Sequence, residues 1–182
     1  MGAGLGGGSS DAAGTLRALL RYYRMKPDRG NVADLKKLAV TLGADVPFFL
    51  RSEGFCDGRG IGEKLKPVKI EKALPWMILV FPGGPGVATK DAYARLKLPR
   101  EESVLTRLSH LDTLVIKLAK GRPISDWGGL LFNRLEEAVL DHHPEVRQAK
   151  DILSRLGLQD VLMSGSGASV FGFVGSREEG ED

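Results

Sequence analysis

The sequence has little cysteine and few aromatic residues. Cys56 is the only cysteine among 182 residues, which excludes an internal disulfide framework and a zinc centre built from several cysteines. Aromatic residues make up 7% of the chain, and they are not interleaved with the basic residues. Because the net charge is only +3 and the basic residues are scattered among acidic ones, we expect no nucleic-acid partner.

Long apolar runs are also missing. No stretch approaches the roughly 20 apolar residues needed to cross a bilayer, and residues 1–20 lack the basic-then-apolar pattern of a secretion signal. We therefore expect a cytoplasmic protein without a membrane partner. With 42% hydrophobic and 27% charged residues, the chain has the composition of a globular protein with a sizeable core.

Glycine, in contrast, is abundant at the start of the chain. Residues 2–8 contain five glycines, and Ser9, Ser10 and Asp11 follow as residue types that begin helices well. Glycine lets the backbone approach a ligand closely, and a helix start presents unpaired N–H groups with a partial charge of about +0.5. The segment therefore predicts a phosphate site. A flexible linker would not explain the amphipathic helix that follows at once.

Two common nucleotide motifs fit this segment poorly. A Walker A loop requires a lysine before its Ser or Thr, whereas these glycines lead to Ser9 and Ser10 without one. Gly2, Gly4 and Gly7 formally satisfy G-x-G-x-x-G, but residues 25–34 hold no apolar run for the strand that a dinucleotide fold needs next. A dinucleotide-dependent oxidoreductase is therefore disfavoured.

Hydrophobic periodicity predicts helices and strands along the whole chain. Helices are predicted over residues 10–25, from Asn31 or Asp34 to Gly43, and over residues 102–119, 133–142 and 144–156. A hairpin is predicted over residues 54–70, and strands over 76–81, 161–163 and 169–174. Strands that flank a run of helices indicate an α+β fold with helices on one face of an antiparallel sheet. A linker is predicted over residues 72–75.

Several motifs resemble the galactokinase, homoserine kinase, mevalonate kinase and phosphomevalonate kinase (GHMP) superfamily. GLGGGSSDAA, residues 4–13, is similar to its glycine-loop signature. LGADVPFFL, GIGEKLKP and LMSGSGASVFG are similar to the bacterial and plastid branch that phosphorylates 4-diphosphocytidyl-2-C-methyl-D-erythritol. PGVATKDAY and the stretch containing Asn133, Leu135 and Glu136 support the same match, which extends in order to about residue 175.

The resemblance implies a fold, a reaction and a set of binding residues. It implies the remainder of a ribosomal-S5-like N-terminal kinase domain over residues 1–72 and a ferredoxin-like C-terminal domain over residues 73–182. The implied reaction is ATP-dependent phosphorylation of the 2-hydroxyl of that small-molecule substrate, with Mg²⁺, by a monomer or homodimer. The implied ATP-binding residues are Gly2, Ala3, Gly4, Leu5, Gly6, Gly7, Gly8, Ser9 and Ser10, with Gly165, Ser166 and Gly167 as a possible second glycine loop.

Asp45 is the candidate catalytic residue. A kinase must place a base or an orienting carboxylate near the attacking hydroxyl. The resemblance gives that role to the aspartate of GADVPFF, which is Asp45. Without the resemblance, Asp45 would be interpreted as a capping residue in the turn before Pro47.

The resembling kinases have a further segment before their glycine loop, which supplies strands of the first domain, a catalytic lysine and most of the cytidine pocket. We therefore expect the chain to be part of a longer protein. Two alternatives stay open beside the kinase interpretation. In the first alternative, the chain is a catalytically inactive fragment of such a kinase. In the second, it belongs to another GHMP-type small-molecule kinase.

Overall fold

The computed structural model describes residues 2–25, 29–97 and 99–181. These residues form two units. The smaller unit comprises residues 6–69, and the larger unit comprises residues 2–5 together with residues 70–181. The start of the glycine segment therefore belongs to the larger unit. The assignment of residues 1–72 and 73–182 to two kinase domains stays a prediction.

The smaller unit consists of three helices and a hairpin. Its elements are α1 (Gly7–Tyr22), α2 (Arg29–Leu42), α3 (Val46–Phe49), β1 (Cys56–Arg59) and β2 (Lys64–Pro67). A small cluster of apolar side chains is buried among the helices: Ala13, Leu16, Ala39 and Val46. Arg17 reinforces the packing of α1 on α3, because its guanidinium donates to the carbonyl oxygens of Phe49 (2.7 Å) and Arg51 (3.1 Å).

The bounds of α1 differ from the prediction at both ends. The helix begins at Gly7 rather than at Ser10, because Gly6 takes a left-handed conformation (φ 67°) that turns the chain into the helix. It ends at Tyr22, three residues before Met25. Two predicted boundary signals, Pro27 and the side chain of Asn31, lie outside the described residues. The hairpin is confirmed, with Cys56 opposite Pro67 in an antiparallel pair.

The larger unit is built on a three-stranded antiparallel sheet. Its strands are β3 (Trp76–Val80), β4 (Gln159–Met163) and β5 (Val170–Val174), and its helices are α4 (Thr89–Ala94), α5 (Glu101–Ala119), α6 (Ile124–Trp127), α7 (Glu136–Val139), α8 (Pro144–Arg155) and α9 (Arg177–Glu181). The strand order is β3–β5–β4, so β5 lies in the centre. Val80 and Met163 both lie opposite Val170 in the register of this sheet.

One face of this sheet carries the main core. The helix α8 packs Val146, Ala149 and Leu153 toward the sheet at a spacing that places all three on one helix face. The buried cluster contains Val87, Ala92, Leu135, Val139, Val146, Ala149, Leu153, Met163, Ala168 and Val170. Gly157 follows α8 with φ 87°, as predicted for a residue that ends a helix.

The helix predicted over residues 133–142 is much shorter than expected. The structure has only α7, residues 136–139, because the side-chain oxygen of Asn133 accepts a hydrogen bond from the N–H of Leu135 (2.9 Å) in the preceding turn. The short helices α4 and α6 were not predicted. Among the described residues, no helix combines the length and the apolar character that crossing a bilayer requires.

We predict that Asp160→Asn stabilises the protein most at neutral and alkaline pH. Burial raises the pKa of the Asp160 carboxyl, so the folded state binds its proton more tightly than the unfolded state does. The free-energy penalty of burying the ionised carboxylate therefore acts at pH values above the raised pKa. It vanishes at pH values below the ordinary pKa of aspartate.

The measurement compares thermal midpoints of the two proteins between about pH 3 and pH 8. Asp34→Asn, at an exposed position, is the control. A difference between wild type and Asp160→Asn that stays constant across this range would contradict the assignment.

Candidate functional site

The first residues of the glycine segment are held by backbone hydrogen bonds to the turn between β4 and β5. The carbonyl oxygen of Gly2 accepts from the N–H of Ala168 (2.8 Å), and that of Ala3 accepts from the N–H of Ser169 (3.0 Å). The Ser164 hydroxyl donates to the carbonyl oxygen of Gly4 (2.8 Å). Residues 2–4 and 164–169 therefore form one hydrogen-bonded structure within the larger unit, which we call the paired glycine loops.

The paired glycine loops require glycine at the point of contact. Gly4 has φ 72°, and a Cβ there would overlap the carbonyl oxygen of Ser164 and lie 2.8 Å from that of Gly167. A Cβ on Gly165, which has φ 53°, would lie 2.9 Å from the carbonyl oxygen of Gly4. A side chain at either position would therefore force the two backbones apart. The structure thus brings Gly2, Ala3 and Gly4 together with Gly165 and Gly167.

Three side chains outside the predicted site, together with the predicted Ser166, hold the turn between β4 and β5. The hydroxyl groups of Thr89 and Ser166 share a hydrogen bond of 2.8 Å. Asn133 donates to the carbonyl oxygens of Met163 and Gly165, both at 2.7 Å, and the Glu136 carboxylate accepts from the N–H of Met163 (2.7 Å). Apart from the predicted Ser166, these residues were missed as site residues. For Asn133 and Glu136, the available signal in the sequence was their position within a stretch that resembles the GHMP kinases.

In the smaller unit, the start of α1 is open. The first backbone hydrogen bond of the helix runs from the N–H of Ser10 to the carbonyl oxygen of Gly6 (2.9 Å). The N–H groups of Gly7, Gly8 and Ser9 have no partner among the described residues, and the first turn contains no acidic side chain. These three donors, at the positive end of the helix dipole, are suited to an anion.

The fold does not require glycine at the start of α1. A Cβ on Gly7 or Gly8 would meet no atom within 4 Å, and neither residue has a left-handed φ. Alanine is favoured over glycine within helices by about 1 kcal/mol. The two glycines leave the backbone of this turn uncovered at some cost in helix stability.

Asp45 has an exposed side chain at the start of α3. It occupies the capping position of that helix, but its carboxylate makes no capping hydrogen bond and no ion pair with any described residue. The backbone beside it is fixed, because Val46 and Pro47 are buried. A Cβ on Gly62 would lie 3.8 Å from the Asp45 carboxylate, so the hairpin turn approaches this side chain. The Asp45 carboxylate thus has no hydrogen-bond or ion-pair partner among the described residues.

Asp45 and the start of α1 are linked by the packing of the smaller unit. A Cβ on Gly43, two residues before Asp45, would lie 3.8 Å from the Ser9 hydroxyl oxygen. The turn that carries the carboxylate therefore passes close to the first turn of α1. The structure places two of the predicted elements, the serines after the glycines and the GADVPFF motif, side by side.

The chain matches two domain models of one kinase family. Residues 1–53 match the description "GHMP kinases N terminal domain", and residues 115–182 match "GHMP kinases C terminal". The paired glycine loops and Asp45 lie within these matched ranges.

The chain is also similar to curated proteins along nearly its whole length. The 4-diphosphocytidyl-2-C-methyl-D-erythritol kinase of Chlorobaculum tepidum is 42% identical over 98% of this chain and 59% of its own length. The protein of the same name from Deinococcus radiodurans is 42% identical over 94% of this chain and 53% of its own length. The chain therefore spans less than two thirds of the length of these relatives.

Solved structures show the same relationship. A crystal structure of 4-(cytidine 5'-diphospho)-2C-methyl-D-erythritol kinase matches with a TM-score of 0.70 at 36% identity, over 99% of this chain and 60% of the other. Homoserine kinase from Cytophaga hutchinsonii matches with the same TM-score, 0.70, at 20% identity, over 100% of this chain and 59% of that chain. The second match shows the fold alone.

We predict that Gly4→Ala separates the paired glycine loops. The added Cβ overlaps backbone, and a left-handed φ is unfavourable for alanine, so we expect the larger unit to lose at least about 1 to 2 kcal/mol of stability. Denaturant unfolding followed by the fluorescence of Trp127, which is buried in this unit, measures the loss.

The control for Gly4→Ala is Gly14→Ala, in the exposed interior of α1, where a Cβ meets no atom. We expect this control to leave the stability of the larger unit unchanged. Equal stability of wild type and Gly4→Ala in the larger unit would show that the described contact is wrong.

Proposed function

We propose that this chain, as a member of the GHMP kinase family, takes part in a phosphoryl transfer. The phosphoryl group passes from ATP to the 2-hydroxyl of 4-diphosphocytidyl-2-C-methyl-D-erythritol. This reaction is a step of non-mevalonate isoprenoid biosynthesis. The substrate is inferred from the names of relatives that are 36–42% identical to this chain. The observation that carries the phosphoryl-transfer chemistry is the open first turn of α1, with three unpartnered N–H groups among the described residues.

The triphosphate is bound by backbone rather than by long side chains in this proposal. The N–H groups of Gly7, Gly8 and Ser9 donate to phosphate oxygens, and the helix dipole adds a partial charge of about +0.5. Residues 2–6 complete the ATP-binding segment, and the turn at Gly165, Ser166 and Gly167 supports it as a second glycine loop. Backbone donors suit this task because they are already oriented before the ligand arrives.

Asp45 acts on the acceptor alcohol. Its carboxylate accepts a hydrogen bond from the substrate hydroxyl and takes up the proton as the hydroxyl oxygen bonds to the γ-phosphorus. The bond between the γ-phosphorus and the bridging oxygen breaks, and ADP leaves with that oxygen. The exposure of Asp45 and its lack of a partner among the described residues support this role.

We also propose that Mg²⁺ accompanies the nucleotide. Mg²⁺ bound with ATP neutralises charge on the phosphates, and it is commonly held by one or two carboxylates together with phosphate oxygens and water. Within the described residues, no cluster of three or more His, Cys, Asp or Glu side chains is suited to a metal ion. Apart from the metal ion, we propose that the protein is cytoplasmic and that it is a monomer or a homodimer.

The share of the relatives' length that the chain spans favours a second candidate function. In this candidate, the chain, which spans 59% of the length of the Chlorobaculum tepidum relative, binds nucleotide and needs further protein to complete a turnover. The two candidates are separated by assaying the chain beside a fusion with the part of the Chlorobaculum tepidum relative that it does not match. Activity in the fusion alone supports the second candidate, and equal activity in both supports the first.

We predict that Asp45→Asn removes most of the turnover of whichever form is active. The substitution keeps the shape of the side chain and removes the proton acceptor, so we expect kcat to fall about 10²- to 10⁴-fold. Because the side chain is exposed, the free energy of unfolding should change by less than about 0.5 kcal/mol. Asp34→Asn, at an exposed position of α2, is the control and should keep its turnover. Normal kcat in Asp45→Asn would exclude Asp45 as the base.

We predict that the double variant Gly7→Ala, Gly8→Ala weakens ATP binding without destabilising the fold. Both positions are sterically open, and alanine favours helix by up to about 1 kcal/mol per position. Added methyl groups would nevertheless hinder the approach of phosphate to the backbone. Calorimetric titration with MgATP measures the affinity, and Gly14→Ala is the matched helix control. Stronger helix formation with unchanged affinity would mean that these glycines have no role in binding.

A further inference from the structure

One residue, Met163, is held by side chains at both of its backbone groups. Met163 is the last residue of β4, which lies at the edge of the described sheet and pairs with Val170 of β5. Its N–H donates to the Glu136 carboxylate (2.7 Å), and its carbonyl oxygen accepts from the Asn133 amide (2.7 Å). The N–H and C=O of one strand residue point to the same side, so two side chains take the place of a neighbouring strand.

Asn133 uses both ends of its amide in this arrangement. Its nitrogen donates to the carbonyl oxygens of Met163 and Gly165, each at 2.7 Å, and its oxygen accepts from the N–H of Leu135 (2.9 Å). The amide therefore bridges the end of β4 and the glycine turn that follows. Aspartate at this position would place a carboxylate against two carbonyl oxygens, and alanine would leave both without this donor.

Glu136 is fixed by a cation from a different helix. Lys150 of α8 donates to the second carboxylate oxygen of Glu136 (2.6 Å). The side chains of Glu136 and Lys150 are 15% and 24% exposed, so the pair is shielded from water more than a surface ion pair would be. With one oxygen on Lys150 and the other on the N–H of Met163, the carboxylate has a single orientation.

The residues that Asn133 and Glu136 hold lead directly into the paired glycine loops. Ser164, between Met163 and Gly165, donates from its hydroxyl to the carbonyl oxygen of Gly4 (2.8 Å). The N–H groups of Ala168 and Ser169 then hold Gly2 and Ala3. A shift at Met163 would therefore reach the glycine segment through backbone contacts at Gly4 that are too close to admit a Cβ.

We propose that Asn133 and Glu136 are positioning residues for the ATP-binding segment, acting through Met163 and the glycine turn. This inference rests on the proposed function, because it gives the pair a role in nucleotide binding. The two residues touch neither the nucleotide nor the acceptor alcohol in this scheme. Loss of either side chain therefore raises the KM for ATP and leaves the KM for the alcohol unchanged.

Four variants of the full chain test the pair. Glu136→Ala and Asn133→Asp remove the contacts to Met163, whereas Glu136→Gln keeps an oxygen that accepts from its N–H. Glu137→Ala is the matched control, because the adjacent carboxylate pairs with Arg134 (2.6 Å) on the protein surface instead. Thermal unfolding of each variant verifies that it is folded.

The first measurement is hydrogen exchange at the N–H groups of Ala168 and Ser169 without nucleotide. We expect exchange about tenfold faster in Glu136→Ala and Asn133→Asp than in wild type, with Glu136→Gln closer to wild type and Glu137→Ala unchanged. Amides of α8 serve as the internal reference. Unchanged exchange at Ala168 and Ser169, or an equal increase at every amide, would overturn the proposal.

The second measurement determines the KM values for ATP and for the alcohol. It introduces each substitution into whichever form, the chain or the fusion, has kinase activity. We expect the KM for ATP to rise about tenfold in Glu136→Ala and Asn133→Asp, while the KM for the alcohol stays within about twofold. Equal increases in both KM values would overturn the positioning role. If wild type neither binds nor turns over ATP in any form, the proposed function fails, whereas the exchange experiment still decides whether the pair holds the loop.

Discussion

The backbone contact between residues 2–4 and the turn at residues 164–169 is the constraint on which the candidate site depends. A glycine-rich segment gains little from side-chain burial, and ordering each residue costs about 1 to 2 kcal/mol of conformational entropy. The turn between β4 and β5 offsets this cost with hydrogen bonds to three successive carbonyl oxygens. Because both partners are backbone, glycine is needed on each side, and the two glycine motifs of the sequence become one structure.

Local patterns predicted the elements whose residues contact their own neighbours. The periodic apolar residues of α1, α5 and α8 and the glycine-broken hairpin gave helices and strands close to the observed ones. The prediction failed at the start of residues 133–142, where the Asn133 side chain accepts from the N–H of Leu135 and donates to Met163, 30 residues further along the chain. The spacing of apolar residues within a short stretch of sequence cannot indicate such a long-range contact. The motif resemblance marked this stretch but carried no information on what it holds.

The candidate site also combines features that local sequence predicts with features that depend on long-range contacts. Composition and helix-start signals, which depend on neighbouring residues, predict an anion site before α1, and that site stays a prediction. For Asp45, local reasoning favoured a cap, yet its carboxylate makes no capping bond. Only the comparison with kinases indicated a chemical role. The proximity of Gly43 to Ser9, where an added Cβ would lie 3.8 Å from the serine hydroxyl oxygen, became evident only from the folded structure.

The N–H groups of Gly7, Gly8 and Ser9 are the donors that we propose for the phosphates of ATP. The most direct measurement is a titration of the isotope-labelled protein with MgATP and, separately, with adenosine, followed by the amide resonances of these three residues. The account predicts that MgATP shifts all three in a saturable manner and that adenosine, which carries no phosphate, does not. If the three resonances stay in place while MgATP shifts others, the phosphates are bound elsewhere and the account is contradicted.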